Sequence, residues 1–555
     1  MRSMISGKKI LIIIIFLGAF LRFYKLAEFP IHLNHDEITQ LYDAISIAQT
    51  GKDIYGNFLP FIFPSVGDFK PPFYTYITSL FYFILGWSEL TIRLPGAIFG
   101  VLIIPAIYFF VSKLLSNEQV PSSGSKSIAL IAAFFTAIVP FEVFFSRKSF
   151  ENGAGIFLML IGFLCLFNFF ANKQMRRLYF SGVIFAGGMY TYFSHAIIIP
   201  LLISIFIFIY RDQFGAKISR YLLPILFFVA LISPLIFMIF TNPGVRYRSQ
   251  TVFISQDVAL GRELELGKSD NPLANFLLQG NVTIGYIFDR YLRQFDPIYL
   301  FANGLDLTNQ GLMGLGPLLL VQLPFLIFGI IFLIRNENLQ KGKKFIAAWI
   351  LLGMLPSGLT FESHSPHRVS MVFTMLNIIS AIGLYYFLRL VRSFRYYFYL
   401  LGVLFVVLVL NFIYFLHIYF VNFPFEKSHY LQYPFEEVAK FAWSQYPNFD
   451  AIVFDPQFGE IAPRIGVGAH YYLAFYGHVS PEKFQREYRI GNKPREIIFD
   501  KFSIRQVYWP EDRNLKNTLV VVSPWSVPID EVDKNLIIKR FNFYNGNLAF
   551  YAIKL

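Results

Sequence analysis

Cysteine is almost absent from this sequence of 555 residues, and the one cysteine, Cys165, lies inside an apolar segment. A single cysteine excludes an internal disulfide framework and any zinc site built from cysteine ligands. It also argues against a redox function that depends on a dithiol pair. The chemistry of this protein therefore has to come from other side chains.

Charged residues are scarce as well, at 15% of the chain, whereas 55% of the residues are hydrophobic and 19% are aromatic. With a mean hydropathy of +0.51, this composition lies outside the range of soluble globular proteins. We therefore predict a polytopic membrane protein. The net charge of +13 would suit a nucleic-acid partner, but in a membrane protein it more often reflects cytoplasmic loops rich in Lys and Arg.

Apolar runs long enough to cross the ~30 Å hydrocarbon core of a bilayer predict about eleven transmembrane helices. The first run lacks a small-residue cleavage site, so we expect it to be a retained span. A twelfth run, "PPFYTYITSLFYFILGW" at residues 71–87, opens on two prolines and is short for a full span. The eleven runs lie near residues 8–26, 90–113, 127–145, 152–171, 177–194, 195–211, 218–241, 312–335, 344–361, 369–390 and 396–420.

The loop charges decide how residues 71–87 are placed. If this run does not cross, the cytoplasmic segments hold 18 Lys and Arg against three acidic residues, Glu118, Asp212 and Glu337. If it does cross, every later loop changes side, against the tendency of positive loops to stay inside. We therefore predict a helix at the outer surface, with an ordinary short span as the alternative.

This topology brings dispersed polar segments to the outer face. They are the first outer loop (25–89), "SRKSFE" (146–151), His195, the long loop 242–311, "SHSPHR" (363–368) and all residues after 420. The predicted organisation is thus a membrane domain at 1–420 followed by an extracytoplasmic domain at 421–555.

The region 421–555 alternates short apolar strands with turns. "FEEVAKFAW" has helical spacing, whereas "DAIVFDP", "REIIFD", "RQVYW", "TLVVVS", "LIIKRF" and "LAFYAI" read as strands. A soluble α/β domain fits this pattern. It contains no glycine-rich phosphate loop and no catalytic Ser/His/Asp spacing, so we expect it to dock on the site or to cover it.

The acidic pair Asp36 and Glu37, in "IHLNHDEITQ", follows the first span by about ten residues. A carboxylate at the edge of a membrane is partly desolvated, which suits a general base. Acidic pairs are nevertheless common in extracellular loops, so this one gains weight from its context. The context is an ordered series: "HDE", "AQTGKDIYG", "DFKPPFYTY" and "ELTIRLPGAIFGVL".

This series resembles the first outer loop of the GT-C membrane glycosyltransferases, in particular the protein O-mannosyltransferase and aminoarabinose-transferase group (glycosyltransferase family 39-like). DE, KPP and RLP motifs recur there in the same order. The resemblance is collinear over about residues 8–170 and resumes at "SPHRVSMVFTMLNIISAIGLYY". The tail 421–555 matches nothing diagnostic of that group.

The resemblance implies transfer of a sugar from a polyprenyl-phosphate donor on the outer face. Asp36 would be the catalytic base, assisted by Glu37, and Lys70 of the KPP motif would stabilise the departing phosphate. Arg368 would grip phosphate oxygens with its guanidinium group. The remaining substrate-binding candidates are Arg93 of the RLP motif, His364, His367, Arg147, Glu151 and His195.

The residues give independent support, with a competing interpretation for each cation. A lipid phosphate needs positive charge at the interface, and Lys70, Arg147 and Arg368 are outer-facing cations beside apolar segments. Such side chains also commonly extend toward lipid headgroups. Glu151, four residues after Arg147, would pair with it on a helix or act as a second acidic group.

The outer-facing histidines raise the question of a metal. None of their spacings is a recognised ligand motif, so no metal ligands are assigned, and a divalent ion stays an alternative. These histidines are His32, His35, His195, His364 and His367.

Three classes of function suit this chain. The leading prediction is an inverting glycosyltransferase whose partners are a polyprenyl-phosphate sugar, membrane lipids and an acceptor protein, lipid or glycan. A transporter of a lipid-linked or polar solute is the main alternative, but its ionisable residues should lie in mid-span or beside broken helices. A receptor-like protein would leave the HDE and KPP motifs unexplained.

Overall fold

The computed structural model describes residues 7–116, 118, 121–215, 217, 219–305, 311–362 and 364–555. Ser363 of the "SHSPHR" motif, and residues 1–6 of the first predicted cytoplasmic segment, lie outside this range. The chain forms two compact units. The membrane unit comprises residues 1–24 and 96–418, and the loop unit comprises residues 25–95 and 419–555.

The membrane unit is helical. Its helices are α1 (Gly7–Phe23), α4 (Leu90–Ser116, which begins in the loop unit), α5 (Ser122–Ile138), α6 (Pro140–Ser146), α7 (Asn152–Asn172), α8 (Arg176–Met189), α9 (Phe193–Ile209), α10 (Ser219–Thr241), α11 (Pro243–Val252), α12 (Val258–Leu266), α13 (Pro272–Arg293), α14 (Leu323–Arg335), α15 (Gln340–Gly358), α16 (Ser370–Val391) and α17 (Tyr397–His417).

Every predicted span contains a helix, but the helices differ in length. Among the described residues, five helices are long and apolar enough to cross a bilayer: α4, α7, α10, α16 and α17 with its extension to Lys427. Two bent pairs, α5 with α6 at 54° and α14 with α15 at 88°, raise this to seven if each pair is one span. The count of eleven therefore stays a prediction.

The bend between α5 and α6 has a clear cause. Val139 is extended (φ −65°, ψ 137°) and precedes Pro140, so the helical hydrogen bonds are interrupted. The guanidinium of Arg22, at the end of α1, donates to the freed carbonyls of Thr136 and Ala137 at 3.0 Å each. A fully buried cation thus replaces the missing backbone donors.

The loop unit combines helices with a sheet. Its helices are α2 (His35–Thr50), α3 (Pro72–Leu85), α18 (Phe423–Lys427), α19 (Pro434–Gln445), α20 (Ala469–Tyr476), α21 (Pro481–Glu487) and α22 (Trp509–Asp512). Its strands are β1 (Phe63–Ser65), β2 (Asp68–Lys70), β3 (Ala451–Phe454), β4 (Gln457–Phe458), β5 (Arg464–Ile465), β6 (Arg489–Ile490), β7 (Ile497–Phe499), β8 (Phe502–Ile504), β9 (Thr518–Val522), β10 (Ile537–Asn542) and β11 (Leu548–Lys554).

Seven of these strands form a mixed sheet in the order β10-β11-β9-β3-β8-β7-β6. Strand β3 is central and runs parallel to β8 and β9. The prediction of a strand at "RQVYW" is wrong, because β8 ends at Ile504 and the following backbone bonds to side chains instead. The N–H of Val507 donates to the carboxylate of Asp455 at 2.8 Å, and Arg505 pairs with Asp512 at 2.8 Å.

The first outer loop belongs to the core of this sheet domain. Ile38, Leu41 and Tyr42 of α2 are fully buried in one apolar cluster with side chains of α19, α20 and the sheet. The hydroxyl of Tyr42 donates to the carbonyl of Val479 at 2.9 Å. The sequence predicts that residues 25–89 belong to the membrane domain, whereas in the structure residues 25–95 group with the C-terminal region.

Candidate active site

The first turn of α2 carries the acidic pair. Asn34 caps this helix: its side chain accepts from the N–H of Glu37 at 2.9 Å, and the Glu37 carboxylate accepts from the N–H of Asn34 at 3.1 Å. This reciprocal capping box fixes where the helix begins. Asp36 therefore lies at the positive end of the helix, where the helix dipole stabilises a carboxylate.

A short hairpin brings the lysine of the KPP motif to this carboxylate. Strands β1 and β2 pair antiparallel around a turn in which Gly67 has φ +69°, a conformation that favours glycine. Lys70 is the last residue of β2, and its ammonium lies 3.0 Å from Oδ1 of Asp36 and 3.6 Å from Asp68. Asp36 keeps 30% of its side chain exposed, so a substrate can approach it.

Glu37 and Arg93 form a buried ion pair directly behind Asp36. Nε of Arg93 lies 3.3 Å from Oε1 of Glu37, and both side chains are almost completely buried. The other guanidinium nitrogens donate to the carbonyls of Leu26, Ala27 and His32. Arg93, predicted to bind substrate, has no exposed surface and instead fixes the loop that leads into α2.

The C-terminal part of the chain supports the same loop. The hydroxyl of Tyr472 donates to the carbonyl of Leu33 at 2.7 Å, two residues before α2 begins. The hydroxyl of Tyr476 donates to Glu89 at 2.8 Å. Burial raises the pKa of both phenols well above the usual value, with Glu37 and Glu89 respectively adding to the effect. Both hydroxyls therefore stay protonated donors.

His32 and His35 lie on either side of Asn34 in the sequence, the residue that caps α2. The His32 ring stacks on Tyr472 at 5.1 Å, and its Nδ1 lies 3.6 Å from Oε2 of Glu436, an ion-pair distance. Burial opposes ionisation of Glu436, but His32 and Lys440 outweigh it and lower the pKa of this carboxyl to about 2. Nε2 of His35 lies 3.7 Å from Asp36.

Arg368 belongs to the membrane unit, in the turn between α15 and α16. Its guanidinium lies 2.9 Å from the carboxylate of Glu362 and donates to the hydroxyl of Thr360 at 2.8 Å. The side chain of Arg368 is 12% exposed, whereas that of Glu362 is 51% exposed. The guanidinium is thus mostly covered, whereas the carboxylate that pairs with it lies at the surface.

A second arginine at this turn was missed by sequence reasoning. Arg290, near the end of α13, donates to the carbonyls of Thr360 at 3.3 Å and Phe361 at 2.5 Å. It also pairs with the carboxylate of Asp257. The helical spacing of apolar residues over 272–292 could have identified this helix, although no motif marks the arginine itself.

The two histidines of "SHSPHR" pack on aromatic rings. His364 lies 4.9 Å from the ring of Tyr299, and burial lowers the pKa of its imidazole. The ring of His367 lies 4.6 Å from Phe145 and 4.1 Å from Phe150. Its carbonyl accepts from the amide of Asn152 at 2.6 Å, which ties this turn to α7.

The remaining candidates are buried in the membrane unit. Arg147 donates to the carbonyls of Leu21 and Arg22 at 2.8 and 3.1 Å, where α1 ends. Glu151 is buried just before α7. Nδ1 of His195 lies 2.9 Å from the hydroxyl of Thr191. These contacts hold helix ends together.

No group of three or more His, Cys, Asp or Glu side chains able to hold a metal ion occurs in the part of the chain that the structure describes. Among the histidines considered as ligands, His195, His364 and His367 contact hydroxyl groups or aromatic rings, whereas His32 and His35 each lie near one carboxylate.

Comparison with known proteins agrees with the predicted class. The family model for dolichyl-phosphate-mannose-protein mannosyltransferase matches residues 69–238, which begin one residue before the KPP motif and end within α10. No curated protein sequence matches the chain. The resemblance to GT-C membrane glycosyltransferases that the motifs indicated is confirmed.

A solved structure of low sequence identity shares this fold, and a second shows a weaker likeness. An oligosaccharyltransferase from Archaeoglobus fulgidus, tethered to an acceptor peptide with an NVT sequon, has a TM-score of 0.50 at 12% identity and covers 86% of this chain. The present chain spans about 63% of that protein's length. ArnT from Cupriavidus metallidurans bound to undecaprenyl phosphate has a TM-score of 0.47 at 11% identity, over 98% of this chain and 97% of that one.

Proposed function

We propose that this protein transfers a sugar from a polyprenyl-phosphate-linked donor to an acceptor on the outer face of the membrane. The observation that carries the proposal is the pairing of a partly exposed Asp36 with Lys70 at 3.0 Å, on a loop held by a buried ion pair. Acid and cation come from separate motifs, and their meeting supports one shared site. The matched mannosyltransferase family supports the same chemistry.

In the proposed reaction Asp36 accepts the proton of the acceptor nucleophile. The nucleophile bonds to the anomeric carbon as the bond from that carbon to the phosphate oxygen breaks, with inversion. The electron pair leaves with the polyprenyl phosphate. Lys70 supplies positive charge for the departing oxygen. Arg368 stays a separate candidate for binding phosphate, since a guanidinium can hold two phosphate oxygens.

The test is release of polyprenyl phosphate, with incorporation of the sugar into an acceptor, in proteoliposomes that contain an extract of membrane proteins and lipids as acceptors and are supplied with a panel of polyprenyl-phosphate-linked hexoses, pentoses and aminopentoses. Asp36→Asn should lower turnover by at least about 10³-fold, because the base is lost, while thermal unfolding stays unchanged. Glu28→Gln is the matched control, since Glu28 is an exposed carboxylate of the same loop that pairs only locally with Lys25. Turnover by Asp36→Asn at the control's level would remove Asp36 from this role.

Transport of a lipid-linked solute is a second candidate, favoured by the bent helix pairs. Such breaks are frequent at transporter binding sites. At the α5–α6 break, however, Arg22 bonds to backbone carbonyls, which accounts for its position without a solute. Movement of the labelled donor across vesicles without a new glycosidic product would support transport.

A further inference from the structure

Helix α13 exposes the side that a soluble helix would bury. None of its residues is buried, yet it carries a run of large apolar side chains that are about half to three-quarters exposed. They are Leu273, Phe276, Leu277, Leu278, Ile284, Phe288 and Leu292. Contiguous exposed apolar patches of this kind mark an interaction surface.

The polar residues of α13 lie on another side. At 100° per residue, Leu273, Leu277 and Ile284 fall within about 40° of one another. Asn275, Gln279 and Arg293 lie on the far side of the helix. The apolar stripe is interrupted by Asn281 alone. An amphipathic helix with its apolar side outward needs an apolar environment on that side.

The neighbours of α13 show which environment this is. The hydroxyl of Tyr291, in its last turn, donates to the carbonyl of Leu351 at 2.9 Å, and the Tyr291 backbone lies against Gly358. Leu351 lies seven residues before the end of α15, about 10 Å along that apolar helix. The Tyr291 side chain therefore runs alongside α15 toward its apolar middle.

The apolar surface of α13 is continuous with that of α15 at this contact. Leu351, whose carbonyl receives the Tyr291 hydroxyl, is 53% exposed, and Leu292, the next residue of α13, is 50% exposed. In a chain whose apolar helices cross a bilayer, such a surface faces acyl chains. At 22 residues α13 is about 33 Å long, but it is not among the described helices that are long and apolar enough to cross a bilayer.

We propose that α13 lies in the leaflet at the C-terminal end of α15, with Leu273, Phe276, Leu277, Ile284 and Phe288 in the acyl chains. The long loop is thereby a membrane-embedded element. This inference rests on the packing of the membrane unit and does not depend on the proposed reaction.

Spin labelling tests the proposal. In a Cys165→Ala background reconstituted into phosphatidylcholine and phosphatidylglycerol vesicles, nitroxides are attached to Phe276→Cys, Ile284→Cys and Asp289→Cys. Collisions with molecular oxygen, which concentrates in acyl chains, are compared with collisions with a water-soluble nickel chelate. References are Phe405→Cys, on the lipid-exposed α17, and Tyr508→Cys in the loop unit.

The labels at 276 and 284 should give oxygen-to-nickel ratios close to that of 405 and at least several-fold above that of 508. The label at 289, on the polar side, should resemble 508. Water-like ratios at 276 and 284 would overturn the proposal, as would low collision rates with both reagents, since these indicate cover by protein. Phe288→Cys substitutes for either variant that fails to fold.

Discussion

Lys70 is the residue on which the proposed chemistry most depends, because it holds two carboxylates at once. Its ammonium lies 3.0 Å from Asp36 and 3.6 Å from Asp68, and its side chain is only 16% exposed. Without this charge, Asp36 and Asp68 would present more negative charge to a phosphate donor. The lysine thus makes an acidic loop compatible with an anionic substrate.

Lys70→Met should lower kcat/KM for the donor by about 10²- to 10³-fold, the usual effect of removing a group that stabilises developing charge. Asp68→Asn leaves the closer Lys70–Asp36 contact in place and should therefore change kcat/KM for the donor by less than about tenfold. Steady-state kinetics with the polyprenyl-phosphate donor measure both. Equal effects of the two substitutions would show that Lys70 serves the hairpin and not the reaction.

Glu37 and Arg93 allow a double-mutant cycle, because each is buried against the other. Replacing either partner alone leaves a buried charge unpaired, so Arg93→Met and Glu37→Gln should each destabilise the protein by about 3–5 kcal/mol. The double variant should lose clearly less free energy of unfolding than the sum of the losses of the two single variants. Thermal unfolding in detergent measures this, and additive losses would contradict the pairing. Activity in a folded single variant should fall through kcat, as expected for positioning residues.

At the scale of helices and strands, the sequence predicted those elements that have a local pattern of apolar residues. Apolar runs located the helices of the membrane unit, and alternation located β3, β7, β9, β10 and β11. The "RQVYW" strand failed because Asp455 competes for its backbone, a contact that spans 52 residues. The polar residues of α13 lower its mean hydropathy, so the sequence predicts a loop there although the spacing of its apolar residues is helical.

The sequence predicted the charged residues of the candidate site but not the residues that hold their loop in place. The spacing of the HDE and KPP motifs marked Asp36, Glu37 and Lys70. Tyr472 and Glu436, which hold the same loop, lie more than 400 residues away in a region without motifs. Only the folded chain brings them to the cap of α2, so no local pattern could have assigned them.

Helix α19 contributes a pH-dependent support through Glu436. The pKa of this carboxyl is about 2 in the folded protein and about 4.3 in an unfolded chain. The contribution of ionised Glu436 to the free energy of unfolding is therefore complete above pH 4.3 and is lost as the pH falls toward 2. At pH 6 Glu436→Gln should destabilise by about 1 kcal/mol, since the group is partly exposed. The difference in free energy of unfolding between this variant and wild type, measured by thermal unfolding, should become smaller between pH 5 and pH 3.

Glu437→Gln is the matched control for this pH dependence. Glu437 is the next residue, is 53% exposed and pairs at the surface with Lys539. Its substitution should shift the unfolding temperature by less than about 1 °C over the same pH range. If the unfolding temperatures of both variants change with pH in the same way as that of wild type, Glu436 does not link α19 to the loop before α2.

At the scale of the whole molecule, the division into units changes what the C-terminal region does. The prediction gave residues 421–555 a role in docking or covering. In the structure these residues share one core with the first outer loop, and Tyr472 bonds to the backbone just before α2. The region is therefore the scaffold of the acidic pair, and its loss would leave that loop without a core.

The sidedness of the molecule depends on α3, the segment that the loop charges assigned to the outer surface. Helix α3 has 14 residues and is about 21 Å long, short of the ~30 Å hydrocarbon core. It also exposes Leu80, Phe83 and Ile84, as a helix lying on lipid would. We therefore expect the residues on both sides of α3 to face the same compartment.

A cysteine at Ser88, directly after α3, tests this in the Cys165→Ala background. A membrane-impermeant maleimide added to intact cells should label Ser88→Cys and Tyr508→Cys to similar extents. Arg177→Cys, on a predicted cytoplasmic loop, should react only after the membrane is opened. Labelling of Arg177→Cys in intact cells, with Ser88→Cys protected, would show that α3 crosses. The loops after α3 would then change side, so Arg368 and residues 421–555 would no longer face the same compartment as Asp36 and Lys70, and the predicted topology would be wrong.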